Sequence, residues 1–119
     1  MAAEVIAIAS DHSGVDFKET LKEALGEVGF QVLDLGTNDY ESVDYPDFAE
    51  ALTAAIGKGR ADRGVLICGT GIGMSIAANR KSFIRAALCH SVTDARLSRQ
   101  HNNANVLILG ARTLGIEIA

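Results

Sequence analysis

Apolar runs alternating with helix-like runs predict an open sheet of parallel strands with helices on both faces. Three observations carry this. The candidate strands Val5–Ala9, Gly64–Cys68 and Val106–Leu109 are apolar almost throughout rather than alternating, the pattern of strands buried on both sides. Strand-like and helix-like segments alternate five times, as right-handed crossovers between parallel strands require. The polar and glycine-rich stretches follow the strands, at the carboxyl ends where open α/β sheets bind ligands. The expected architecture is a single-domain, Rossmann-like three-layer αβα sandwich around a five-stranded parallel sheet, spanning residues 1–119.

Val5–Ala9 (VIAIA) reads as a central strand that ends in the polar loop Ser10-Asp11-His12-Ser13-Gly14. Val15 to Val28 sets Phe17, Leu21, Leu25 and Val28 at helical spacing, and Gly26 and Gly29 mark its end. Gln31–Leu35 is a second strand, followed by the turn-rich Gly36-Thr37-Asn38-Asp39. Pro46 opens a helix over Asp47–Ile56 with Phe48, Ala51, Leu52 and Ala55 on one face, closed by Gly57 and Gly59. The third strand, Gly64–Cys68, turns through Gly69, Gly71 and Gly73 into a helix over Gly73–Lys81. Ala86–Cys89 is a fourth strand, and Ser91 or Thr93 caps a helix reaching about Gln100. The polar stretch His101–Asn105 leads to the fifth strand, Val106–Leu109, and Gly110-Ala111-Arg112-Thr113 begins a last helix.

Composition narrows the partners. A net charge of −4 with scattered basic residues argues against a nucleic-acid surface, which needs a basic stripe. The first residues lack the basic start of a secretory signal, and no apolar run approaches the roughly 18 residues that span a bilayer. A cytoplasmic protein with no membrane partner is expected. Cys68 and Cys89 have neither zinc-site nor CxxC spacing, so both are expected reduced. Cys89 ends an apolar run and reads as core. Cys68 alone would read the same way, but beside a glycine-rich helix start it is a candidate reactive thiol.

The glycine loop excludes some readings. Its third glycine comes one place too early for GxGxxG, and the loop follows the third strand rather than the first. No GKS or GKT follows, which excludes a P-loop, and Cys68 stands where a receiver domain would need an aspartate. What remains is a strand that turns on glycines into a helix, leaving backbone N–H groups to meet an anion. That anion is either a phosphate or a charge that develops during reaction.

The blocks Ser10-Asp11-His12-Ser13-Gly14, Asp44-Tyr45-Pro46, Ile67-Cys68-Gly69-Thr70-Gly71-Ile72-Gly73, Ser75-Ile76-Ala77-Ala78-Asn79, Leu97-Ser98-Arg99-Gln100-His101-Asn102 and Gly110-Ala111-Arg112 follow one another over nearly the whole chain. In them the chain resembles the ribose-5-phosphate isomerase B family, within the wider group that includes galactose-6-phosphate isomerase subunits. The resemblance implies an aldose–ketose isomerase of the pentose phosphate pathway, working through an enediolate without metal or organic cofactor. By it, Cys68 is the base that carries the proton between C1 and C2. A thiol titrates near about 8.5, and a helix start favours its thiolate. The N–H groups from Gly69 through Gly71, Ile72 and Gly73 to Met74 would form an oxyanion hole, where one lost donor costs about 10²–10³ in rate. Thr70 moves protons between the two oxygens, or else caps the helix.

The resemblance further implies that His101 opens the furanose ring, with Asn102 beside it, and that both reach the site from a neighbouring subunit. On its own, His101 would read as a helix-terminal residue that eases the dipole. Asp44 is the expected partner in ring opening, Tyr45 a pocket wall, and Asp11 a contact to sugar hydroxyls. His12 and Arg112 would hold the phosphate, apart from the glycine loop. His90 has no matching role. A homodimer or homotetramer with its site at the interface is expected. The family carries further phosphate-binding arginines in a C-terminal tail that this sequence lacks. Two other readings stay open: an isomerase of a six-carbon sugar phosphate of the galactose or allose type, and a sugar-phosphate binding module without turnover.

Overall fold

In the computed structural model, which describes residues 4–38, 41, 44–116 and 119, the apolar runs form five parallel strands. They are β1 (Val5–Ser10), β2 (Gln31–Asp34), β3 (Arg63–Cys68), β4 (Ala86–Leu88) and β5 (Val106–Gly110). Their order is β2-β1-β3-β5-β4. The connections are α1 (Val15–Val28), α2 (Tyr45–Gly57), α3 (Ile72–Ala78) and α4 (Val92–Asn102), with a 3₁₀ turn, His12–Gly14, before α1. The chain leaves β1 in one direction for β2 and returns past it to β3. The switch point therefore lies between β1 and β3.

The two-residue period of the strands divides the core between two faces. Ala7, Ala9, Leu66 and Cys68 pack with Leu52 of α2 and Met74 and Ala78 of α3. Ile6, Ile8, Val65 and Ile67 pack the other way, against Phe17, Leu21 and Leu25 of α1. Right-handed crossovers account for this, because α1 and α4 serve steps in one direction and α2 and α3 steps in the other. The α2 side is close: a methyl group on Gly64 would stand 2.6 Å from Leu52 Cδ2. On the opposite side a groove of about 210 Å³ opens over the central strands, lined by Ile6, Leu25, Phe30, Val65, Ala95 and Leu107.

Several expected details shift. Val28 is 75% exposed rather than part of the apolar face, and Phe30, just past the left-handed Gly29, packs on that core instead. The buried face of α2 is turned, so Ala49 and Thr53 are covered and Ala51 is not. Helix α3 stops at Ala78 rather than Lys81, and the Asn79 amide there pairs with the N–H (2.8 Å) and carbonyl (3.0 Å) of Ala86. Helix α4, capped by Ser91 accepting from the Asp94 N–H, runs two residues further than expected, to Asn102. It ends where Asn103 turns left-handed (φ 49°). The expected last helix does not begin at Gly110: the N–H groups of Thr113 and Leu114 both bond the Gly110 carbonyl, which closes a turn. Residues 117 and 118 of that segment, and Asp39 in the connection after β2, lie outside the described residues.

Helix α1 also buries a charge. The Lys18 side chain has no exposed surface, and its Nζ donates to Asp34 Oδ2 at 2.7 Å, Asn38 Oδ1 at 2.7 Å and Glu19 Oε1 at 3.3 Å. Lys22 donates to the same Asp34 oxygen at 2.7 Å. Burial alone would raise the Asp34 carboxyl, but bonds from Lys18, Lys22 and the Gly36 N–H outweigh it and hold the group below its ordinary range. Lys22 is raised in turn, chiefly by its bond to Asp34. A depressed carboxyl stabilises the fold above its unfolded value of about 3.9, and that stabilisation is lost as pH falls through the folded value. Asp34→Ala leaves the Lys18 ammonium buried without its main counter-charge. It should cost about 3–5 kcal/mol in urea unfolding at pH 7. The gap from wild type should narrow as the pH is lowered through the depressed value.

Candidate active site

Cys68 is the last residue of β3, paired in register with Gly110 of β5, and is 5% exposed. The chain then turns at Gly71, whose φ of +84° is left-handed. This turn aims the Gly71 N–H at Cys68 Sγ, 3.1 Å away. A side chain has no room at Gly71, since a methyl group would stand 2.5 Å from Leu88 Cδ1. Thr70 Oγ1 accepts the Ile72 N–H at 3.2 Å, while the N-cap position of α3 is Gly71.

The other elements close on this turn. Beyond β5 the ladder continues, with the Ala111 N–H bonding the Cys68 carbonyl (2.7 Å) and the Arg112 N–H the Gly69 carbonyl (2.8 Å). These bonds set the Arg112 side chain over Gly69, where a methyl group would lie 3.3 Å from its Cδ and 3.6 Å from its Cζ. Arg112 thus borders the glycine loop, whereas the expectation kept the phosphate ligands apart from it. From α2, the Tyr45 ring lies on Gly73; a methyl there would come within 2.7 Å of its Cζ. Asp44 is the N-cap of α2, yet its side chain bonds none of the helix's first N–H groups.

At the end of β1, Asp11 is 8% exposed and its N–H bonds the Ile67 carbonyl at 3.1 Å. Its Oδ1 accepts from the N–H of Ser13 at 3.0 Å and the hydroxyl of Ser13 at 2.5 Å, which holds the turn carrying the half-buried His12. Asp11, Cys68, Gly69, Thr70, Gly71, Ile72, Gly73 and Arg112 therefore share the carboxyl end of the sheet, with Asp44 and Tyr45 at its rim.

His101 and Asn102 do not join them. Both lie in the last turn of α4, which delivers the chain to the start of β5 at Val106. Cys68 pairs with Gly110 at the other end of that strand, four residue steps or about 13 Å away along it. Within one chain the imidazole and the thiol are at opposite ends of the sheet.

Cys89 is buried as expected, and burial pushes its thiol up. His90 is exposed, and its N–H bonds Asp94 Oδ2 at 3.1 Å. Among the described residues no group of three or more His, Cys, Asp or Glu side chains is gathered to hold a metal ion. No helix among them is long and apolar enough to cross a membrane. Two closely packed residues, one in the site and one beneath it, had no assigned role in the sequence. Gly110 admits the loop so closely that a methyl would meet the Thr70 carbonyl oxygen at 2.5 Å, and Lys18 is the second. A lysine three residues before Leu21, on the helix's buried face, was the available signal for Lys18.

An open parallel sheet with polar and glycine-rich loops at the carboxyl ends of its strands belongs to the α/β class that binds ligands there. The Ribose/Galactose Isomerase family profile matches residues 6–119, and the chain belongs to that family of isomerases. It is 46% identical over 114 residues to ribose-5-phosphate isomerase B of Escherichia coli, covering 96% of this chain and 76% of that one. A ribose 5-phosphate isomerase of Thermotoga maritima superposes with a TM-score of 0.95 at 52% identity, over 98% of this chain and 81% of that one. Ribose-5-phosphate isomerase B of Mycoplasma genitalium, solved with bound ribulose-5-phosphate, gives 0.93 at 42% identity, over 99% and 79%.

The contact at Gly110 is with backbone, which cannot rotate away. Gly110→Ala should destabilise the fold by about 1–3 kcal/mol in thermal unfolding and displace Thr70. An unchanged unfolding midpoint would show that the loop yields.

Proposed function

We propose that the chain interconverts ribose 5-phosphate and ribulose 5-phosphate through an enediolate, with Cys68 as the base. The observation that carries this is the Gly71 N–H donated to Cys68 Sγ at 3.1 Å, in a glycine turn bordered by Arg112. An N–H bond to sulfur supports negative charge there, and the loop brings further N–H groups to the same place.

The reaction balances within the substrate. The Cys68 thiolate takes the proton from C2 of the open-chain aldose, the C–H electrons form the C1–C2 double bond, and O1 takes the charge. Thr70 gives its hydroxyl proton to O1 and receives the proton of O2. The thiol returns its proton to C1, leaving a carbonyl at C2. No electrons enter or leave, so no external oxidant or reductant is consumed. Backbone N–H groups between Gly69 and Met74, other than those of Gly71 and Ile72 that bond Cys68 Sγ and Thr70 Oγ1, face the charge on O1, and glycine at 69, 71 and 73 lets the substrate approach. Arg112 and His12 hold the phosphate and Asp11 the sugar hydroxyls, which fixes C1 and C2 against Sγ.

Ring opening falls to His101 of the partner subunit, with Asn102 beside it and Asp44 as helper. The distance between the chain's own His101 and Cys68 supports a site shared between identical chains, in a homodimer or homotetramer. Ile72 (56% exposed) and Ile76 (64%), one turn apart on α3 beside the loop, support an apolar contact there. Cys68, Thr70, His101 and Arg112 stand in one chain, which favours this reading over a six-carbon isomerase with residues split between two different subunits.

Cys68→Ala should lower turnover of ribose 5-phosphate by about 10²–10⁴ without unfolding the chain. Full activity would refute the base assignment, and sugar-phosphate binding without turnover in the wild type would mark a binding module. Mixing Cys68→Ala chains with His101→Asn chains should restore about a quarter of wild-type activity, from the one intact site in each mixed dimer. No recovery after subunit exchange would place both residues in the same chain's site. His101→Asn should impair furanose substrates far more than open-chain erythrose 4-phosphate, and equal losses would remove the ring-opening role.

A further inference from the structure

We propose that Lys18, which lies beneath the site rather than in it, is a positioning residue for the substrate-binding rim. This rests on the isomerase reading above. A buried ion pair rarely adds net stability over an apolar replacement. Lys18 has no exposed side-chain surface, and its three bonds all converge on α1 and the exit of β2. What the arrangement specifies is the path of residues 34–38.

Two routes lead from that segment to the rim. Asp34 Oδ1 accepts the Gly36 N–H at 2.9 Å, the Gly36 carbonyl accepts the Ser10 N–H at 2.7 Å, and the Thr37 N–H returns to the Ser10 carbonyl at 2.9 Å. Ser10 precedes Asp11, so the clamp reaches the Asp11 carboxylate through one residue of backbone. On the other side Gly36 lies against Phe48, where a methyl would meet its Cε1 at 3.1 Å. Phe48 stands one turn after Tyr45 on α2, and the Tyr45 ring lies on Gly73. Lys18 thus supports, through contacts rather than through substrate, Asp11 on one side of the loop and Asp44 and Tyr45 on the other.

Asn38 offers a test that spares the core, because it is exposed and contributes only its Oδ1 at 2.7 Å. Asn38→Ala should lower kcat/KM for ribose 5-phosphate about tenfold, the scale of one lost bond to a charged donor. Its thermal midpoint should move by less than about 5 °C. Asn38→Asp, which keeps the acceptor, should retain the wild-type kcat/KM. The pH profile of Cys68 alkylation by iodoacetamide should not change in either variant. Wild-type kinetics in Asn38→Ala, an equal loss in Asn38→Asp, or a moved alkylation profile would each overturn the positioning role. A wild-type chain that turns over no sugar phosphate would instead remove the isomerase reading, and with it the reaction that Lys18 would serve.

Discussion

The carboxyl edge of the sheet depends on one backbone constraint, the left-handed turn at Gly71. With φ at +84° and Leu88 and Ile108 packed where a side chain would begin, that position admits glycine alone. Its geometry sends the N–H back to Cys68 instead of onward into the helix, and starts α3 at Ile72. The consequences spread through close contacts. Thr70 is pressed on Gly110, Arg112 on Gly69 and Tyr45 on Gly73, so β5 and α2 both take their positions relative to this turn. Three glycines accept neighbours where side chains would keep them out, and the groups so gathered come from three separate elements.

A parallel sheet has a second consequence. Every helix starts near the carboxyl ends of the strands and finishes near their amino ends. Cys68, at the exit of β3, and His101, at the exit of α4, are therefore separated by the length of β5 in any chain of this topology. No loop movement of ordinary size closes that distance. If both act on one sugar, a second chain must bring its amino edge to this carboxyl edge. A twofold arrangement makes that contact twice and completes two sites together.

The five strands were legible because each is a run of apolar residues long enough to cross the sheet, and one end of each moved by a single position. The residues clustered at the switch point were legible because polar loops at strand exits must meet there. Strand order was not, since it depends on which apolar faces pack, whereas the separation of His101 from Cys68 follows from the parallel alternation itself. Helix ends were misjudged where a side chain decided them: Asn79 bonded to Ala86, and Asn103 adopting a left-handed turn. Lys18 was missed because a lysine on an amphipathic helix reads as solvent-facing. Its three acceptors come from α1 itself and from residues 16 and 20 positions further on, across the β2 crossover.

The two cysteines show why burial alone could not assign them. Cys68 is 5% exposed and Cys89 is 3%, and both stand at the ends of apolar runs. The difference lies in what surrounds each sulfur. Cys89 Sγ donates to the Ala87 carbonyl at 3.6 Å, and burial, only partly offset by a bond from Ser98, pushes its thiol up. Cys68 Sγ accepts from the Gly71 N–H, which the left-handed turn aims at it. The same residue type at two strand ends thus meets different partners, because the left-handed Gly71 turns its N–H onto one of them.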